Sequence, residues 1–201
     1  MIHPIRLYGD PVLRRRAAPV RAFDDALRRL ADDMIETLHD AGGVGLAGPQ
    51  IGRPLRIFVA LELEEPDPDA PVGEDGERPE PKVLAEHVLV NPEIVSGSGR
   101  RVAPDGCLSV PGIWIENMVR HQRVEVRYQD LDGAPHALEA EGHFAHVIQH
   151  EADHLDGVLY FDRLDADDRA RFLDAYRAEL AELQRRAKAH LKRVRTAEAA
   201  T

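Results

Sequence analysis

The sequence predicts an α+β fold in which mainly antiparallel sheets pack around a central helix, with a further helix at the C-terminus. Three features predict this fold: an amphipathic helix near the N-terminus, several short strands separated by turns, and two helices after the last strand. Short strands joined by turns favour antiparallel pairing, because parallel neighbours need long crossover connections. The chain has 201 residues, and we expect one domain spanning residues 1–201.

The first helix is predicted from Asp24 to Asp40, where apolar side chains recur with the helical period and an aspartate can cap the start. The apolar positions are Leu27, Leu30, Met34, Ile35 and Leu38. The helix runs into AGGVGLAGPQIG, whose glycines and proline predict an extended or tightly turned loop.

Strands are predicted in RIFVALEL, in HVLVNPEIV, from Arg100 to Ala103 and in QRVEVRYQDLDG, where Asp132 and Gly133 predict a turn. Two helices follow, from about Gly142 to Leu155 and from about Ala166 into the tail. The tail, residues 184–201, contains six lysines or arginines and one acid.

Residues 62–82 have a different composition from the rest of the chain. They contain nine acids and five prolines, with almost nothing to bury. A segment of this kind cannot gain enough from burial to offset the entropy of ordering its backbone. It therefore predicts an acidic, proline-rich surface loop within the single domain.

The composition argues against several classes of protein. A formal net charge of −10 argues against a DNA-binding protein. No apolar run approaches the length that spans a membrane, and the first twenty residues lack the apolar stretch of a secretory signal. Cys107 is the only cysteine, so no internal disulfide is possible, and we expect a reducing compartment, the cytoplasm.

The segment VIQHEADHLDG carries a pattern typical of metal sites. Helical residues four apart differ by about 40° around the axis, so His150 and His154 would direct their rings to one point. Two neutral imidazoles can bind a divalent metal, and Glu151 would reach a water on that metal without becoming a ligand. For this motif alone, a polar, solvated helix face is the alternative.

Two histidines do not complete a catalytic metal site, which normally has three protein ligands and one open position. Two sources of the third ligand are present in the sequence. Glu179, on the following helix, would give the ligand set of a metalloprotease. Cys107, in the segment PDGCLSVPG, would supply a thiolate from a short loop rich in turn residues.

The segments GVGLAGPQ, DGCLS and QHEADHLDG occur in this order along the chain. Together they resemble the three signature motifs of the peptide deformylase family, and the ordered trio is far more specific than any one motif. The resemblance extends to PVLRRRAAPV and GVLYFDRL. It implies that the central helix binds a metal and that the chain is a metal-dependent hydrolase. The implied reaction removes the formyl group from N-terminal formyl-methionine of nascent polypeptides and releases formate.

The resemblance also implies the metal and its ligands. Cys107, His150 and His154 would bind one divalent ion. The family characteristically uses Fe²⁺, and Zn²⁺, Ni²⁺ or Co²⁺ can occupy the same place. The sequence does not choose among these ions, because one thiolate and two imidazoles suit several borderline metals.

Catalytic and substrate-binding roles follow from the same resemblance. Glu151 would move the proton of the attacking water, while the Gln50 amide and the Leu108 backbone N–H would stabilise the oxyanion. For Gln50 an ordinary loop amide is the alternative reading, and for Arg120 an ordinary surface arginine. The residues expected to contact substrate are Gly45, Val44, Gly106, His146 and Arg120.

The chain departs from the family pattern at several positions. Asp105 stands where the family usually carries glutamate, and Trp114 lies near a position often occupied by arginine. His143 and His146 lie on a helix face that is commonly more apolar and that would line the methionine pocket. Asp153 is either a partner of the neighbouring metal ligand or a surface acid. Because His143 and His146 would make the methionine pocket more polar, methionine preference is less well supported than the deformylation chemistry.

Two other functions stay open at this point. A metalloprotease would use Glu179 in place of Cys107, and a degenerate family member would bind formylated peptides without hydrolysing them. The presence of Glu151 and Gln50 argues against the second. The expected partners are nascent formylated peptides, with a possible ribosome contact through the basic tail, and neither DNA nor a membrane.

Overall fold

A computed structural model describes residues 1–65 and 81–198 of the chain. Within these residues no helix is both long and apolar enough to cross a membrane. The predicted acidic loop, residues 62–82, lies mostly outside the described part. Glu62 and Leu63, assigned to that loop by composition, instead form the end of a strand.

Helix α1, Asp25–Asp40, has the bounds predicted for the N-terminal amphipathic helix to within one residue. The Asp24 carboxylate caps it by accepting hydrogen bonds from two backbone N–H groups of the first turn, at 3.0 and 3.1 Å. Met34 and Leu38 on its apolar face are fully buried and belong to a core cluster shared with the larger sheet.

Two antiparallel sheets form the rest of the scaffold, as predicted. The strands are β1 (Gly45–Ala47), β2 (Ile57–Leu63), β3 (Val83–Ser98), β4 (Arg101–Cys107), β5 (Val110–Arg120), β6 (Arg123–Gln129) and β7 (Pro135–Glu141). The larger sheet has the strand order β1-β2-β3-β6-β7, and β4 and β5 form the smaller sheet. Of these, β1, β5 and β7 are absent from the sequence-based prediction.

The segment PDGCLSVPG is a hairpin rather than the irregular loop that its prolines predict. Cys107 is the last residue of β4 and pairs with Val110, the first residue of β5. Leu108 and Ser109 form the two-residue connection between them. The cysteine is therefore held by strand pairing, which fixes its backbone more firmly than a loop would.

Helix α2, Gly142–Leu155, has the predicted bounds and lies at the centre of the fold. Twelve of its fourteen residues are buried, so it contacts protein on nearly all sides. Phe144 and Ile148 pack with side chains of the larger sheet. Its polar residues other than His143 are buried too, and buried polar groups need hydrogen-bond partners or a ligand.

The C-terminal region forms two helices where the sequence predicts one. α3 spans Ala166–Ala175 and α4 spans Arg177–Glu198, with the break at Tyr176. Phe172, from α3, packs with Leu180 in a core cluster that also contains Cys107. The basic tail is helical from residue 184 to residue 198, and residues 199–201 lie outside the described part.

Candidate metal centre

Three side chains that can bind a metal ion come together from β4 and α2. The ligand atoms of Cys107, His150 and His154 all lie within 4.8 Å of one another. Sγ of Cys107 is 3.2 Å from Nε2 of His154. The two imidazole rings meet edge to face with their centroids 5.0 Å apart. One thiolate and two imidazoles suit a divalent metal ion and leave a coordination position free for water or substrate.

Glu179, the alternative third ligand, does not join this group. It is exposed in the first turn of α4. Across residues 1–65 and 81–198, the group of Cys107, His150 and His154 is the one set of three such residues with this spacing. The geometry therefore disfavours the ligand set of the metalloprotease hypothesis.

Asp105 fixes the orientation of His150, a role that the sequence does not reveal. Its Oδ1 lies 2.7 Å from Nδ1 of His150, which leaves Nε2 of that ring for a metal. Its Oδ2 accepts a hydrogen bond from Nε of Arg120 at 3.0 Å. Asp105 and Arg120 are 3% and 6% exposed, so this charge pair is screened little by solvent.

Arg120 and Asp153 extend this buried network behind the metal ligands. Nη1 of Arg120 donates to Oδ2 of Asp153 at 3.0 Å, and Arg163 pairs with the same carboxylate. Arg120 is thus a buried partner of two carboxylates rather than a surface arginine. Asp153 is a buried partner in this network rather than a surface acid.

The buried charges shift the pKa values of the two histidines in opposite directions. Burial alone would lower the pKa of His150, but the Asp105 carboxylate and the Cys107 sulfur raise it well above its ordinary value. Burial, reinforced by His150, lowers the pKa of His154 well below that value. Burial would raise the pKa of Asp105, but the surrounding imidazoles and guanidinium lower it. These shifts favour the neutral form of His154 and the ionised form of Asp105.

Glu151 lies beside the three ligands and is 3% exposed. Burial is the largest cause that raises its pKa to about 7. Its Oε2 has no hydrogen-bond partner among the described residues. A Cβ added to Gly45 would overlap the Glu151 carboxylate, so only glycine lets β1 approach this closely. A carboxyl group with a pKa near neutrality can both accept and return a proton.

Gln50 lies in the 3₁₀ helix that follows β1 and is 1% exposed. Its Oε1 accepts a hydrogen bond from the backbone N–H of Ala47 at 2.7 Å. This bond turns Nε2 toward Sγ of Cys107, at 3.6 Å, and Oγ of Ser109, at 3.4 Å. Leu108 connects these two residues, so its backbone lies at the same corner. An amide donor fixed in this way can stabilise negative charge that develops on a reacting oxygen.

A cavity of about 480 Å³ opens onto these groups. Nine of the eleven residues predicted to act in the site line it, and the exceptions are His154 and Arg120. The nine are Val44, Gly45, Gln50, Gly106, Cys107, Leu108, His146, His150 and Glu151. Trp114, 56% exposed, also lines the cavity. Its ring lies against Gly106, where any added Cβ would overlap it.

The two additional histidines of α2 face the cavity differently. His143 is half-buried, and burial is the main cause that lowers its pKa. His146 is 6% exposed, and neither of its ring nitrogens retains contact with solvent. Its Nε2 lies 3.1 Å from Oδ2 of Asp105. His146 therefore presents mainly ring carbon to the cavity, which reduces the polarity expected there from its sequence.

Most of the chain is similar to known proteins. A family model described as polypeptide deformylase matches residues 2–170. A peptide deformylase of Thermus thermophilus is 50% identical over 193 residues, which cover 96% of this chain and 97% of that protein. One of Brucella suis biovar 1 is 42% identical over 164 residues, covering 81% of this chain and 85% of that protein.

Solved structures give the same result. A crystal structure of peptide deformylase from Thermus thermophilus has a TM-score of 0.79 at 46% identity, covering 92% of this chain and 99% of that one. A peptide deformylase from Legionella pneumophila has a TM-score of 0.72 at 37% identity, with 92% and 96% covered. The chain therefore belongs to the polypeptide deformylase family, the metal-dependent hydrolases that remove the formyl group from nascent polypeptides.

Proposed function

We propose that Cys107, His150 and His154 hold the catalytic metal ion and that Glu151 and Gln50 act beside it on N-terminal formyl-methionine. The observation that carries this proposal is the meeting of three distant segments at one cavity. The ligand atoms lie within 4.8 Å of one another, and Nε2 of Gln50 lies 3.6 Å from the Cys107 sulfur. The orphaned, buried Oε2 of Glu151 supports a role in contact with water or substrate.

The metal we propose is Fe²⁺, on the basis of the family resemblance, while the donor set would also accept Zn²⁺, Ni²⁺ or Co²⁺. When bound, such an ion would lower the pKa of a water molecule and polarise the formyl oxygen. Metal analysis of protein purified without oxygen tests this choice, because a ferrous ion with a thiolate ligand is sensitive to oxidation. Stoichiometric iron supports it, and another metal in place of iron would contradict it.

The protein side chains would then move the protons and stabilise the charge. Glu151 takes a proton from the attacking water as the water oxygen bonds to the formyl carbon. Nε2 of Gln50 and the backbone N–H of Leu108 donate to the formyl oxygen as it gains negative charge. Glu151 next gives its proton to the peptide nitrogen while the carbon–nitrogen bond breaks. Water and formyl-peptide thus become formic acid and a free N-terminal amine, and the acid ionises to formate in solution.

The substrate would lie extended between β1 and β4. Val44 and Gly45 line one part of the cavity and Gly106 another, and backbone at these positions can pair with an extended peptide. The first side chain of the substrate is attached next to the formyl nitrogen. It would therefore extend toward the turn of α2 that precedes His150, where His146 presents ring carbon to the cavity.

The metal ligands are tested by comparing two single variants. Cys107→Ala should lose bound metal, whereas Glu179→Ala should keep it, because Glu179 is exposed and outside the ligand group. The reverse pattern would overturn the assignment. A member of the family that only binds would show tight binding of a formyl-peptide without formate release, and the positions of Glu151 and Gln50 favour turnover instead.

We further propose that residues 1–201 act as one domain in the cytoplasm. Both sheets share α2, and a single thiolate ligand needs a reducing compartment to stay reduced. The basic tail, residues 184–201, is proposed to contact ribosomal RNA, since its cations could pair with phosphates despite the acidic body of the protein. Co-sedimentation with ribosomes that is unaffected by salt or by removal of residues 185–201 would contradict this contact.

A further inference from the structure

His146 is buried in a way that its place in the cavity wall does not explain. It is 6% exposed, and neither ring nitrogen has an aligned hydrogen bond among the described residues. Burying an imidazole without such a hydrogen bond costs stability. A role in the site would explain why a histidine stands at this position. Nε2 does lie close to one carboxylate oxygen, Oδ2 of Asp105, at 3.1 Å.

Asp105 divides its two oxygens between different partners. Oδ1 faces Nδ1 of His150 at 2.7 Å. Oδ2 faces Nε and Nη2 of Arg120, at 3.0 and 2.9 Å, and also Nε2 of His146. The direction of Oδ1, and with it the orientation of the His150 ring, depends on what holds Oδ2. Arg120 donates to it from β5, and Nε2 of His146 approaches it from α2.

His146 and His150 are spaced one helical turn apart, so both rings reach the same carboxylate from the same helix. Asp105 comes from β4, and the loss of one of these partners would leave its side-chain torsions less firmly held. A rotation that carried Oδ1 away from His150 would release Nδ1 of a metal ligand. Ligand orientation of this kind tunes metal affinity strongly.

We propose that His146 is a positioning residue for the metal centre, holding Oδ2 of Asp105 so that Oδ1 stays on His150. The proposal rests on the proposed function only in taking His150 as a metal ligand. It assigns His146 a second role besides lining the cavity. A residue that only shaped the cavity would change the Michaelis constant for peptides and leave metal binding unaltered.

The test uses full-length protein loaded with Co²⁺, whose absorption in the visible range reports ligand geometry. Replacement by glutamine and by asparagine forms a matched pair. In His146→Gln the side-chain amide nitrogen can lie near the position of Nε2. In His146→Asn it lies near the position of Nδ1 and does not reach Asp105. His146→Leu removes the polar group altogether. The readouts are the Co²⁺ dissociation constant, by competition with a chelator, and the visible spectrum.

We expect His146→Leu and His146→Asn to bind Co²⁺ about tenfold more weakly and to change its spectrum, as outer-sphere partners of metal ligands do. His146→Gln should restore both readouts. Equal Co²⁺ affinities and spectra for the glutamine and asparagine variants would overturn the proposal, even if the leucine variant failed to fold. Failure of the unmodified protein to bind Co²⁺ would instead count against the proposed function itself.

Discussion

Oδ1 of Asp105 lies 2.7 Å from Nδ1 of His150, and both residues are buried. This contact occupies Nδ1, so Nε2 is the nitrogen of His150 that is left to bind a metal. It also joins the metal ligand to a buried ionic network, since the same carboxylate pairs with Arg120. The metal centre is therefore held by β4, α2 and β5 together.

Asp105→Asn tests that contact. The variant should bind metal about 10- to 100-fold more weakly, because it removes the charge that orients the His150 ring. The matched control is Asp130→Asn, which removes a carboxylate 2.9 Å from Nε2 of His136 on the surface. Metal affinity is measured by chelator competition for both variants. Equal affinities would show that the contact does not support the metal.

Glu151→Gln separates proton transfer from metal binding. The amide has nearly the same shape as the carboxyl group but cannot accept the proton of water. We expect kcat to fall by about 10²- to 10⁴-fold while the metal content is unchanged. The measurement pairs formate release with metal analysis of the same sample. An active variant would assign the proton transfer to another group.

Gly45→Ala tests the close approach of β1 to Glu151. A Cβ at this position would overlap the Glu151 carboxylate, which must then move. A displacement of about 1 Å at a reacting group costs on the order of 10²-fold in rate, so kcat/KM should fall by this amount. The free energy of unfolding and the metal content serve as internal controls. Unchanged kcat/KM would show that the overlap is relieved at no cost.

Asp162 gives a prediction for stability at low pH. Burial would raise the pKa of this carboxyl, but hydrogen bonds from Arg14 and the Leu159 N–H lower it. A lowered folded-state pKa stabilises the fold above the unfolded-state pKa of about 4, and this stability is lost as pH falls through the folded-state value. Asp162→Asn should therefore lose less stability than the unmodified protein between about pH 5 and pH 3.

The measurement for Asp162 is urea denaturation at a series of pH values. The free energy of unfolding of Asp162→Asn should fall less steeply over this range, because the linked proton has been removed. Two parallel curves would contradict the lowered pKa. Metal-free samples of both proteins keep metal release from contributing to the slope.

Much of the fold follows from local sequence patterns. The amphipathic period of α1 and the polar but periodic α2 predict both helices to within a residue of their observed bounds. Two of the missed strands, β1 and β7, have weak local signals. β1 has three residues in a glycine-rich segment, and β7 is largely exposed, so each depends on pairing with a neighbouring strand. Such tertiary pairing is not encoded within the segment itself.

The candidate site, like the fold, follows only in part from local sequence patterns. The three signature motifs contain eight of the nine predicted residues that line the cavity, and His146 is the exception. They do not indicate the partners of these residues in the fold. Arg120 and Asp153 are separated by 33 positions, yet they form one buried ion pair. Likewise, the contact of His146 with Asp105 depends on how α2 packs against β4, which no local pattern reports.

The most direct test of the proposed chemistry is formate release from a formyl-methionine peptide by anaerobic, iron-loaded protein. We predict one formate and one free amine for each peptide consumed, with multiple turnovers, and loss of this activity in Cys107→Ala. Iron-loaded protein that binds the peptide but releases no formate would contradict the assignment of this site as a deformylating centre.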